Sequence, residues 1–324
     1  FSDKLGVTAS WFQEKRNNIL WRSGIVPASF GGTVPAQNLG RVSNEGYEIE
    51  VSWNDNIGKL SYFLKGNYSF ARNRIDYMAE APFPYEWMNQ TGFSIGQNRG
   101  LLSNGFYNTQ QELNNRPFNT YGNNARLGDI KYIDVTGDGI INQNDQVPIG
   151  YSNLPQVAYN LTIGFNYKGF DLNALFIGTA KGSFSQFGYI LNTPFAQTRG
   201  QVLKYAYDGR WTPEKTANGE SVTFPAYSFS GGGPNIFSDF WLRPNDFKRL
   251  KNLEIGYTFD RQSSFLTRAT IKSIRIYANG NNILTWGTGM IKGIDPEMTE
   301  TSRSREGYSF PLTKTYNVGV NVQF

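Results

Sequence analysis

The residues with the clearest chemical spacing run from Asp134 to Asp145, Asp-Val-Thr-Gly-Asp-Gly-Ile-Ile-Asn-Gln-Asn-Asp. Asp134, Thr136, Asp138, Asn142 and Asp145 fall at the first, third, fifth, ninth and twelfth places of an EF-hand-type calcium loop. Gly139 stands at the sixth, where such a loop turns sharply, and Ile140 at the seventh would lend its backbone carbonyl. Hard oxygen ligands converging from one tight loop suit a structural Ca²⁺, and these six residues are its expected ligands. Thr136 replaces the usual Asp or Asn, and Asp145 replaces the longer Glu that binds through both oxygens. The alternative is an Asp/Asn/Gly turn closed by hydrogen bonds without a metal.

Other chemistry is narrowed by composition. The chain has no Cys and no His, which removes thiol nucleophiles, disulfides, Cys/His zinc sites and every His-based triad. Its 26 Asp and Glu include no pair whose spacing marks glycoside hydrolysis, so no enzyme is expected. A net charge of +5 without any Lys/Arg-rich run gives no sign of nucleic-acid binding. Among the seven Trp, those in long connections (Trp87, Trp211, Trp241) are candidates for substrate or partner contact, with loop packing as the alternative. Trp11, Trp53 and Trp286 lie near strand ends and read as an interfacial girdle.

The elements that hold these residues are strands. In the closing stretch Tyr316, Val318, Val320, Val322 and Phe324 alternate with Asn317, Gly319, Asn321 and Gln323, so one face is apolar and the other polar. The same period of two marks Leu5–Lys15, Tyr47–Trp53, Leu60–Arg74, Tyr159–Tyr167, Phe170–Phe176, Leu253–Phe259 and Ile274–Gly280. Mean hydropathy is −0.47, and no apolar run approaches the about 20 residues of a spanning helix. A strand of about 9–11 residues that is half polar by construction can still cross a bilayer.

The connections alternate between long (16–45, 75–155, 181–246, 285–313) and short (54–58, 168–169, 260–270). An up-and-down meander through a membrane keeps that parity, with loops on one side and turns on the other. A soluble sandwich has no reason to keep it. The expected fold is therefore all-β, an antiparallel transmembrane β-barrel wall of about eight strands with four long extracellular loops. Leu161, Ile163, Val318 and Val320 should face lipid, and Asn160, Thr162, Asn317 and Asn321 the lumen. Two loops, of about 65 and 80 residues, sit poorly on a barrel of only eight strands. The first and last strands should accordingly not pair with each other.

Several stretches together resemble the C-terminal part of SusC/RagA-type TonB-dependent outer-membrane transporters of Bacteroidota. They are Gly128-Asp-Ile-Lys-Tyr-Ile133 with the Asp-Gly loop, Tyr167-Lys-Gly-Phe-Asp-Leu172, Arg210-Trp-Thr-Pro-Glu214 and Phe247-Lys-Arg-Leu-Lys-Asn-Leu253 with Gly256-Tyr-Thr-Phe259. Asn281-Asn-Ile-Leu-Thr-Trp286, Gly293-Ile-Asp-Pro-Glu297 and the closing strand from Lys314 complete the order. The resemblance implies that residues 1–324 form the C-terminal portion of a barrel of about 22 strands, whose plug and earlier strands lie outside this sequence. It further implies a SusD-like surface lipoprotein as lid, the TonB complex as energy source, and uptake of oligosaccharides or peptides. Two other readings stay open: a secreted, calcium-stabilised all-β glycan-binding module, and a small eight-stranded outer-membrane barrel.

Overall fold

The computed structural model describes residues 4–25, 31–32, 34–186, 203–227, 236–260, 271–287, 295–297 and 312–324. Eight long strands follow one another: β1 (Leu5–Trp21), β2 (Gln37–Ile57), β3 (Leu60–Tyr77), β4 (Val157–Tyr167), β5 (Phe170–Ala180), β6 (Phe247–Asp260), β7 (Ser273–Trp286) and β8 (Thr315–Gln323). They form one sheet in sequence order, each antiparallel to its neighbours. β1 and β8 are its two edges and do not pair with each other.

Register explains why a chain of negative mean hydropathy builds a membrane wall. Directly opposed residues share a face, so a side-to-side path through the pairings reads one row. One row is Leu5, Trp53, Leu64, Ile163, Ala174, Leu253, Gly280 and Tyr316. The adjacent row, on the other face, is Gly6, Ser52, Lys65, Thr162, Leu175, Asn252, Asn281 and Thr315. Leu161, Ile163, Val318 and Val320 fall on the apolar face, and Asn160, Thr162, Asn317 and Asn321 on the polar one, as expected from parity.

The apolar face has defined upper and lower limits. On the turn side it ends in Ile57, Leu60, Tyr167 and Phe170, and on the last three strands one row further, in Phe259, Ile274 and Val322. On the long-loop side it ends in Trp11, Tyr47, Phe70 and Val157. From Tyr47 to Ile57 is ten residues of β2. At about 3.3 Å per residue and a tilt near 40° that spans roughly 25 Å, the height of an outer-membrane barrel's apolar band. Trp11 and Trp286 lie on this outward face at the loop-side limit, and Trp53 lies towards the turn side, where its indole N–H donates to the Tyr62 hydroxyl at 3.3 Å.

The first three strands run well past their alternating stretches. β1 runs to Trp21 and β2 begins at Gln37, so the connection expected over 16–45 shrinks to residues 22–36; β3 continues to Tyr77. These extensions carry apolar residues such as Ile19, Leu20, Trp21 and Ile75 without strict alternation, and are held by backbone hydrogen bonds that need no apolar period. The 54–58 turn tightens to Gly58-Lys59, with φ +60° at Gly58. The glycine-rich Ser230–Pro234 stretch, and Gly293 and Ile294, lie outside the described residues.

The compact apolar core belongs to the loops and not to the sheet. Leu101, Ile130, Tyr132, Ile141, Ala206, Phe224 and Trp241 pack together, drawing on the 78–156 and 181–246 connections. Short pairings tie the same connections internally, Ser103–Phe106 to Ile130–Tyr132 and Ser183–Ser185 to Leu242–Pro244. The described parts of these two connections thus share one folded core.

Candidate transport lumen

The polar face carries an ordered hydrogen-bond system. Near the turn side, Arg275 of β7 grips Asp171 of β5 through two nitrogens (3.0 and 2.5 Å) and reaches Glu254 of β6 at 2.7 Å. Asn279 donates to Glu254 at 3.2 Å, and Asn317 of β8 donates to Asn279 at 3.0 Å, so four strands are joined side chain to side chain. The aromatic exceptions on this face cover glycines: a Cβ on Gly164 would stand 2.1 Å from the Phe63 ring, and one on Gly319 2.4 Å from Tyr277. Each ring lies on its opposed glycine, which fills the face without lifting the strands apart.

Higher in the wall, Arg249 of β6 is only 2% exposed. It donates to Glu297 at 2.5 Å, Asp295 at 2.7 Å and the Thr285 hydroxyl at 2.9 Å, while Lys251 meets Glu297 at 2.7 Å. The bulge in β6 between Leu250 and Asn252 is what turns Lys251 towards this cluster. Three separate sequence stretches, Phe247–Leu253, Asn281–Trp286 and Asp295-Pro296-Glu297, converge on one guanidinium. Two cations and two carboxylates balance there, which is what permits a buried Arg.

Beside this cluster the polar face opens into a cavity of about 1320 Å³. Its wall side presents Thr8, Ser10, Glu48, Glu50, Asn67 and Asn160, and its loop side Asn153, Pro155, Phe184, Asn245 and Glu297. The wall side offers hydroxyls, amides and two carboxylates set among apolar side chains such as Ile177 and Phe247. Such a surface binds by hydrogen bonding, and it contains no arranged nucleophile or general base.

The residues singled out in sequence are placed differently from one another. Trp241 is fully buried in the loop core, and Trp211 is buried with its indole N–H donating to Asn108 at 2.9 Å, so neither offers a face to a ligand. The reason is packing: a Cβ on Gly128 (φ +83°) would come within 2.4 Å of the Trp211 ring, which lies against that turn. Trp87 is half-buried, stacked on Tyr85 at 4.6 Å, and donates to the Asn144 carbonyl at 2.8 Å. It therefore braces the Asp-Gly loop.

That loop is closed by its own backbone. Asp134 accepts from Gly137 and Gly139 (both 2.7 Å) and from the Thr136 hydroxyl at 3.1 Å. Asp145, fully buried, accepts from Val135, Thr136 and Asn142 N–H groups at 2.9, 3.0 and 2.8 Å. Asp138 accepts from Ile140 at 2.8 Å, and Asn142 caps the short helical turn Gln143–Asp145. Ile140 pairs as a strand with Phe118. Among the described residues no three carboxylates draw together as a cation site. Burial works to raise the Asp134 pKa, but the Gly139 and Gly137 N–H groups outweigh it and hold the carboxyl below its ordinary value. In the neighbouring loops burial pushes the Tyr205 phenol up to about 12, and the Lys131 ammonium, with the Asn108 N–H, holds Glu112 below the usual carboxylate range.

Sequence reasoning missed Arg249, Arg275 and Asp171. The available signal was a charged residue at a polar-parity position within a membrane strand, where ionisable groups are costly unless paired.

No protein-family profile matches the chain. The TonB-dependent receptor P26 of Formosa agariphila is 25% identical over 351 residues, covering 100% of this chain and 33% of the relative. The TonB-dependent receptor SusC of Bacteroides thetaiotaomicron is 25% identical over 304 residues, covering 89% of this chain and 27% of SusC. This chain is related to the SusC/RagA-type TonB-dependent transporters. Its fold agrees: a RagAB peptide transporter structure superposes with a TM-score of 0.70 at 19% identity, over 100% of this chain and 34% of that one. The chain spans about a third of the length of the curated relatives it matches. The sheet is accordingly a segment of outer-membrane barrel wall. The relatives are named as receptors and transporters.

Proposed function

We propose that residues 1–324 supply the C-terminal wall of a plugged outer-membrane importer that takes up oligosaccharides or peptides. The continuous polar face behind an apolar band of membrane height supports this reading most directly. An N-terminal portion of the same transporter completes the barrel and carries the plug, the TonB complex draws the plug aside, and a SusD-like lipoprotein closes the mouth. Ligand passes along hydrogen-bonding side chains, and no bond in it is broken. Deleting the gene for the complete transporter should abolish growth on its cargo while leaving growth on simple sugars and amino acids intact. Loss of TonB should have the same effect. Undiminished uptake in a TonB-deficient strain would overturn the reading, and purification of the complete protein without detergent would favour the secreted module instead.

We also carry the cation at Asp134–Asp145 as a proposal. The ligand spacing supports it, and the backbone N–H groups compete for the same oxygens. In calcium-equilibrated transporter, a cation-built loop loses hydrogen-exchange protection at Gly137 and Gly139 when EGTA is added. Unchanged protection would leave the loop to its hydrogen bonds.

A further inference from the structure

Just above the apolar band, the outward positions of the wall carry cations. On β3, Phe70 closes the band, and the next two outward residues are Arg72 and Arg74. Arg74 is the register partner of Ser43, and Ser43 that of Lys15 on β1. Lys181, just past the end of β5, holds its Nζ 5.3 Å from the centre of the Phe70 ring, so it reaches the same level from the other side. All four cations are exposed, and none forms an ion pair among the described residues. Two carboxylates share the patch. Glu45 is the register partner of Arg72, and Asp76 accepts from the Ser43 hydroxyl at 2.9 Å. An excess of two positive charges remains, directly over a belt of Trp11, Tyr47 and Phe70.

This position selects the ligand. Long cationic side chains above an aromatic belt lay their stems on apolar surface and put their charge at headgroup height. A cation there meets the phosphate of a lipid before it meets bulk water, and each Lys or Arg near an anionic surface strengthens attachment about fivefold. Paired donors of Arg72 and Arg74 suit phosphate oxygens in particular. We propose that Lys15, Arg72, Arg74 and Lys181 form an external binding site for the phosphate group of a lipid headgroup. The site is on the lipid face of the wall, separate from the lumen, and it would seat one headgroup against β1–β3. It rests on the barrel-wall reading.

The test uses the complete transporter, extracted in detergent and stripped of native lipid. It is titrated with bisphosphorylated lipid A, with the same lipid enzymatically dephosphorylated, and with inorganic phosphate, and binding is read by native mass spectrometry. The phosphorylated lipid should bind at least about tenfold more tightly than the dephosphorylated one. K15Q/R72Q/R74Q/K181Q should remove that preference, and E45Q should increase it. Folding of each variant is checked by heat-modifiable gel mobility. Equal binding of the two lipids, a preference that survives the quadruple variant, or inorganic phosphate competing as strongly as the lipid would overturn the proposal. Failure of the barrel reading is distinct, because the protein would then purify without detergent.

Discussion

Arg249 shows how single side chains hold this wall to its loops. Its guanidinium is shut off from solvent and depends on Asp295, Glu297 and Thr285. Arg249→Met should lower the unfolding free energy of the complete transporter by about 3–5 kcal/mol, because two carboxylates lose the charge that balances them. Glu297→Gln should cost less, since Asp295 remains on the guanidinium. Denaturant titration followed by heat-modifiable mobility measures both, and equal losses would show that Asp295 contributes nothing. Asp134 offers a pH test. Its pKa is lower folded than unfolded, so its stabilisation is fully present above the unfolded value near 3.9 and is lost as pH falls through the lower folded value. Exchange protection at Gly137 and Gly139 should therefore persist below pH 4 and collapse only on further acidification. Loss of protection already at pH 5 would contradict the hydrogen-bonded loop.

Each membrane strand solves the same problem twice, one face for lipid and one for the lumen. Val320 and Asn321 are neighbours in β8 and face opposite ways. Val320→Arg should cost about 2–4 kcal/mol and Asn321→Arg much less, since only the first puts a charge in hydrocarbon. Equal costs in urea titrations would contradict the assigned faces. In the loops the equivalent constraint is the Gly128 turn against Trp211. Gly128→Ala meets both a positive φ and the indole at 2.4 Å, so a loss of about 1–3 kcal/mol in loop stability is expected, with blue-shifted Trp emission reduced. Strand existence was legible from period two. Strand ends were not, because β1, β2 and β3 continue past the apolar band without strict alternation, held by backbone pairing.

At the scale of the whole molecule the decisive feature is the open edge. β1 and β8 lie seven strands apart and leave unpaired N–H and C=O groups in the membrane zone, each costing several kcal/mol in hydrocarbon. On the proposed importer reading both are expected to ladder to strands outside this sequence. This chain has no Cys of its own to compete with engineered pairs. In the complete transporter, Cys at Ile276 and Val320, opposed in register, should crosslink readily, whereas Cys at Val7 and Val320 should not. A Val7–Val320 crosslink would mean an eight-stranded barrel and would remove the importer reading.

The sequence by itself determined the sheet, the two faces and the alternation of loops and turns. Those follow from side chains repeating every two residues along a backbone that can only pair laterally. It also marked the Asp-Gly loop as a tight oxygen-rich turn. Only the tertiary structure decided what the charged and aromatic residues do. Trp211 and Trp241 became core because loops distant in sequence fold over them, and Arg249 found its carboxylates 46 and 48 residues away. Spacing along a chain reports a local repeat. Which remote loop comes back to neutralise a charge or bury a ring depends on closing long loops, and no local period encodes that.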